Sequence, residues 1–273
     1  MLPSMYSGVS GLLTHQQRMN VIGNDIANVN TVGYKQSDVT FKEAFVNTLR
    51  APAPGTPGQQ QGLGVQLGTI NRDFSGGALM QTGNSTNLGV SGNGFFVLDG
   101  GGQRLFTRAG DFTMDVDGGA TFLISPDGHR LQGVMDPNPD LTGVDVNTLV
   151  DIELPPDTSA FSIALDGTLF VSIAGADPEV VGRVALATFD NPNGLQAIGS
   201  NAYIATDAAA IRDLANPGED GVGQMLQGYL ENSNVDLARE FTDMIVTQRG
   251  FQANSRTIST SDEMLQELLM LKR

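Results

Sequence analysis

Two apolar stripes with a seven-residue period, one near each end of the chain, constrain the fold more than any other feature. Met5, Leu12, Met19 and Ile26 recur every seven residues, with Val9 and Ile22 beside them. Leu237, Met244, Phe251, Ile258 and Leu265 do the same near the other end; Phe241 and Leu269 extend the intermediate positions, which Gln248, Ser255 and Asp262 interrupt. A period of seven keeps one seam of a helix against a partner helix. From Asn234 onward there is no proline and the only glycine is Gly250, so a long helix is expected there. Ser233 or Asn234 is the expected N-cap, with Asp236 facing the helix N-terminus. Either stripe alone reads as a helix packed on its own core, but two at opposite ends favour a paired N- and C-terminal coiled coil. Gly8, Gly11 and Gly23 lie inside the first stripe, each costing roughly 1 kcal/mol relative to alanine. The terminal helices are therefore expected to be marginal in a lone monomer and ordered once neighbouring copies surround them.

The middle has a different texture. Phe95–Leu98 and Arg104–Thr107 flank three glycines, and Asp111–Asp115 and Ala120–Ile124 flank an Asp117-Gly118 turn, so each pair reads as a hairpin. Asp127-Gly128 and Asp166-Gly167 mark further tight turns, the second between Phe161–Leu165 and Thr168–Ile173. Val184–Phe189 reads as a strand buried on both faces. The whole is an expected antiparallel all-β domain, barrel or sandwich. Residues 50–66 are rich in Pro, Gly and Gln and read as a linker or extended arm. The fold class is α+β, with a terminal helical domain at 1–35 and 232–273, extended connecting segments at 36–85 and 205–231, and a β-rich domain at 86–204.

Charge narrows the functions. Lys and Arg number 15 against 30 Asp and Glu, a net of −15. Residues 1–50 are near neutral at +1 and residues 231–273 at −2, so the middle carries −14. No cationic excess exists to neutralise phosphates, which argues against nucleic acid as a partner and against docking on an anionic membrane. No apolar run approaches the ~18 residues of a membrane span, and no membrane insertion is expected. The N-terminus has no basic region followed by an apolar core, so no cleavable secretory leader is expected. With no cysteine, thiolate metal sites and cysteine nucleophiles are excluded.

Catalytic signatures are missing too. Gly92-Asn93-Gly94 is followed by aromatic strand residues and is no dinucleotide loop. Asp115-Val116-Asp117-Gly118 starts like a calcium loop but lacks its later ligands, and is read as a hairpin turn. His15 and His129 have no clustered partners for a metal site or a triad. No enzyme activity, cofactor or metal is expected.

Several segments then match a known pattern. Ser7–Leu12 with Asn24–Lys35, Gln227–Asp236 with Thr247–Arg256, and in between Gly92–Phe96, Phe106–Phe112 and Ala187–Leu195 occur in this order. Together they resemble the bacterial flagellar rod and hook axial proteins, and the match spans essentially the whole chain. Short length, a single β-body and the insertion after Arg50 resemble the distal-rod members; Met5–Gly11 looks more like hook, whose additional outer domains this chain has no room for.

The resemblance implies a structural subunit that polymerises helically, with the terminal helices inside and the acidic β-body outside. The seam residues Met5, Leu12, Met19, Ile26, Leu237, Phe241, Met244, Phe251, Ile258, Leu265 and Leu269 would then carry self-assembly. Implied partners are further copies of the chain, adjacent rod and hook proteins, and the flagellar type III export apparatus. Phe41 and Phe45 fit a pattern associated with export-gate recognition, although a packed helical pair would produce it as well. The alternative from another class is a secreted β-rich module binding the cell wall, which the lack of Trp and the presence of only four Tyr disfavour. A latent wall hydrolase is a third reading, for which the chain supplies no catalytic signature.

Overall fold

A computed structural model describes residues 2–51, 57–136, 141, 143–156, 158–173, 177–212, 214–219 and 221–271. The chain divides into two compact units: Met1–Asn28 with Gln36–Asp73 and Val235–Arg273, and Val29–Lys35 with Phe74–Asn234.

The first unit holds two long helices, α1 (Leu2–Ala27) and α2 (Leu237–Leu271). Helix α2 begins two to three residues later than expected: the Asp236 carboxylate itself caps it, accepting from Ala238 N at 2.9 Å and Arg239 N at 3.4 Å. Asp236 can do this because its short side chain reaches the free amides of the first turn, while Ser233 and Asn234 lie outside it. Gln36–Asp73 is a β-ribbon. Strand Ser37–Glu43 pairs antiparallel with Val65–Arg72, and Val46–Arg50 with Gln59–Gly62. The Pro/Gly/Gln-rich stretch read as a linker therefore contributes paired strands on its described side; residues 52–56 lie outside the described residues.

The second unit is the antiparallel β-body. Its main path runs, strand beside strand, Thr158–Ile163, Thr168–Ile173, Glu179–Val184, Arg130–Val134, Phe95–Asp99, Arg104–Thr107, Ala202–Ala205, Leu195–Gly199. Among the described residues the first and last strands do not pair, so the barrel alternative is corrected: they form no closed barrel. Both glycine-turn hairpins form, Phe95–Asp99 with Arg104–Thr107 and Thr113–Asp117 with Ala120–Ile124. Two further pairings draw in segments read as connectors. Gln224–Gln227 pairs with Leu88–Ser91, and Tyr229–Glu231 with Leu79–Gln81.

The core sits on both sides of the central strand. Phe96 and Leu98 join a cluster with Leu105, Leu131, Leu169, Val184 and Leu186, whereas Phe95 and Val97 join Phe106, Ala185, Ala187 and Tyr203 on the opposite face. Alternation along 95–98 and along 184–187 thus fills two apolar layers, which is why these runs carry no polar residue.

Candidate assembly surface

The two helices of the first unit run antiparallel, as their contacts show. Ser4 meets Ser261, Gly8 faces Ile258, Gly11 faces Asn254, His15 faces Gly250, and Arg18 pairs with Asp243 at 3.2 Å. Apart from Ile258, the line of closest approach is made of small and polar residues. A Cβ on Gly11 would lie 2.6 Å from the Asn254 amide nitrogen, and one on Gly250 would lie 2.6 Å from the His15 ring. Glycines at these positions let the backbones approach closely, and of the apolar stripe Ile258 enters the contact, opposite Gly8.

That line also carries polar groups taken out of water. His15 Nδ1 and Thr247 Oγ1 are buried and find no hydrogen-bond partner among the described residues. Each such group costs about 1–3 kcal/mol. Burial and the neighbouring Arg18 push the His15 pKa down from its ordinary value. Near the C-terminal end of α1, buried Asp25 accepts from Ser37 N at 3.2 Å, and buried Glu240 accepts from Gln36 Nε2 at 2.5 Å. Burial, then Asp25 and Asp243, push Glu240 above its ordinary value, against Arg239 and Arg18.

Each expected seam residue can now be placed. Met5, Leu12, Met19, Ile26, Met244, Ile258 and Leu265 are half-buried, Ile258 against Gly8 of the other helix. Leu237, Phe241, Phe251 and Leu269 are exposed, Phe241 at 50% and Leu269 at 69%. Tyr6, Val9, Leu13, Ile245, Val246, Met264, Leu268, Met270 and Leu271 join them as exposed large apolar groups. A soluble monomer rarely leaves so much apolar surface on one unit without a use for it. Phe41 lies on the ribbon, edge-on to the His15 ring at 5.5 Å and under the Arg18 guanidinium at 5.8 Å. Phe45 follows the strand and is 73% exposed, so the two do not form a buried core pair.

The β-body contains an open groove of about 1160 Å³ lined by Arg104, Arg130, Asp145, Asp151 and Phe122. Its cations are already engaged within the fold. Arg104 donates to Asn147 O and Leu149 O, and Arg130 bridges Asp117 and Asp151. Among the described residues no group of three His, Cys, Asp or Glu side chains could hold a metal ion, and no helix is long and apolar enough to cross a membrane.

Comparison with known proteins identifies the family. Three family models match: "Flagella basal body rod protein" at residues 5–35, "Flagellar hook protein FlgE/F/G D1 domain" at 89–171, and "Flagellar basal body rod FlgEFG protein C-terminal" at 226–271. The chain is 42% identical to the flagellar basal-body rod protein FlgG of Bacillus subtilis, with all of both chains covered. It is 34% identical to FlgG of Buchnera aphidicola subsp. Baizongia pistaciae, covering 99% of this chain and all of that one. Against the flagellar hook protein FlgE of Borreliella burgdorferi it is 28% identical with both chains fully covered, but the alignment stretches to 446 positions. For a chain of 273 residues, that hook protein must carry long insertions absent here. The chain belongs to the flagellar basal-body rod and hook protein family.

Proposed function

We propose that this chain is a structural subunit of the flagellar axial shaft, polymerising helically as part of the distal rod. The observation that carries the reading is full-length similarity to FlgG proteins without the long insertions that the FlgE alignment requires. The exposed apolar residues of the helical unit supply the surface. In the polymer, α1 and α2 form an inner coiled-coil layer and neighbouring copies cover Phe241, Phe251, Leu269 and their flanking partners. The half-buried stripe residues Met5, Leu12, Met19, Ile26, Met244, Ile258 and Leu265 then become fully buried. The acidic β-body faces outward, where water solvates its charge.

Adjacent rod and hook proteins are the neighbours above and below, and the type III export apparatus is the route out of the cell. Phe41 and Phe45 serve that apparatus rather than a packed core, a role supported by the exposure of Phe45. Placement in the hook is the second reading, favoured by the hook-like Met5–Gly11 segment. A tag on this chain, located in micrographs of isolated basal bodies, separates the two. Label along the rod is the expected result, and label confined to the hook overturns it.

A further inference from the structure

The most deeply buried charges of the β-body meet at one carboxylate. Glu231 Oε1 accepts from Lys35 Nζ at 2.7 Å and from Gly77 N at 2.7 Å, and Oε2 accepts from Arg108 Nη1 at 3.3 Å. The three side chains are at most 2% exposed. Lys35 Nζ also donates to Ser75 O at 2.6 Å, and Arg108 Nη2 to Gly92 O at 2.8 Å, with the guanidinium 5.1 Å over the Phe95 ring. The backbone repeats the connection. Gly33 N donates to Glu231 O at 2.8 Å and Asn232 N to Ala78 O at 2.9 Å. Gly33 has φ +67°, and a Cβ there would lie 2.5 Å from Ala109 N, so only glycine lets this segment lie down beside Arg108.

Two cations converge on one anion, out of water. Withdrawing the carboxylate leaves both cations buried with carbonyl oxygens and an aromatic face as company, a situation far costlier than loss of an exposed pair. Segment 29–35 therefore cannot seat Lys35 favourably until Glu231 is in place. Glu231 in turn has its first oxygen satisfied only when Lys35 and Gly77 have arrived. Each of the four points where the chain passes between the two units, 28/29, 35/36, 73/74 and 234/235, borders a segment tied here.

We propose that Glu231 is a clasp that makes segments 29–35, 74–78 and 229–234 open and close as one cooperative element. The N-terminal strap 29–35 is thus held in the β-body only when the C-terminal strand is held there. The ordinary alternative is three segments that fray independently, each on its own local hydrogen bonds.

Native-state hydrogen exchange of the full chain, read by mass spectrometry, decides between them. In Glu231→Gln, the amides of all three segments should exchange at least tenfold faster and by a common factor. Those of Phe95–Asp99 should be unaffected. If Glu231→Gln does not fold, Lys35→Met, which leaves the Arg108–Glu231 pair intact, should still accelerate 74–78 and 229–234 in step with 29–35. Acceleration confined to Gly77, or undiminished protection of 29–35 in either variant, overturns the clasp.

Discussion

Alanine placed at the glycines of the two helices should separate packing from propensity. Gly23 has nothing within 4 Å of an added Cβ, so Gly23→Ala should gain the full helix preference and stabilise the helical unit by about 1 kcal/mol. Gly250 is the opposite case. Its added Cβ would lie 2.6 Å from Cε1 and Nε2 of His15 and 3.1 Å from Nδ1, where ordinary contacts begin near 3.5 Å. The ring must retreat by about 1 Å, yet Phe41 sits edge-on to it at 5.5 Å and limits the retreat. Overpacking of this kind costs about 1–3 kcal/mol, which cancels or exceeds the propensity gain. Gly11→Ala should fall between the two, because the obstructing atoms belong to the Asn254 side chain, which can rotate away. Denaturant unfolding of the full chain followed by helical circular dichroism should rank the variants Gly23→Ala, Gly11→Ala, Gly250→Ala from most to least stable. A Gly250→Ala variant as stabilised as Gly23→Ala would show that the helices do not approach as described.

Acid should act on the helical unit through two groups of opposite sign. His15, lowered from 6.5, contributes stability that is present above that value and lost as pH falls through its lowered folded pKa. Glu240, raised from 4.5, contributes stability present below that value and lost as pH rises through its raised folded pKa. Glu240→Gln should therefore unfold at higher denaturant than the parent at pH 7 and lose that advantage below about pH 4.5, measured by paired titrations. Phe45→Ala alone should keep its melting temperature to within a few degrees, since Phe45 is 73% exposed and Phe41 keeps its contacts with His15 and Arg18. The same variant should accumulate inside flagellated cells, and normal secretion, assayed in culture supernatant, would refute the export role.

The sequence made the helices legible, but not which side of each faces the other. A seven-residue apolar period implies a stripe with a partner; it does not say whether that partner is in the same chain. Here Gly8, Gly11 and Gly250 define the intramolecular contact, which takes in Ile258 of the apolar stripe but leaves Phe241, Phe251 and Leu269 exposed. The hairpins at 95–107 and 113–124 were readable because glycine turns and alternation are local signals. Gln59–Gly62 was not, since three glutamines exposed on both faces carry no alternation and pair only through backbone bonds with Val46–Arg50. The charges gathered at Glu231 were invisible for another reason: Lys35 and Arg108 are remote from it in sequence. Each lay inside a family-like segment, and only the fold brought Gly33–Lys35, Thr107–Ala109 and Leu230–Asn232 together.

Self-assembly through the helical unit is the central claim, and charge placed on its exposed apolar face tests it most directly. Phe241 and Leu269 touch water in the monomer, so Phe241→Asp with Leu269→Asp should leave folding and the circular dichroism spectrum unchanged. In an assembled shaft the same carboxylates would be buried without partners, at a cost of several kcal/mol per contact. Sedimentation of purified protein at rising concentration, with electron microscopy of the pellet, should show fibres or tubes for the parent and a soluble monomer for the double variant. Fibres from the double variant at the parent's concentration would contradict the account.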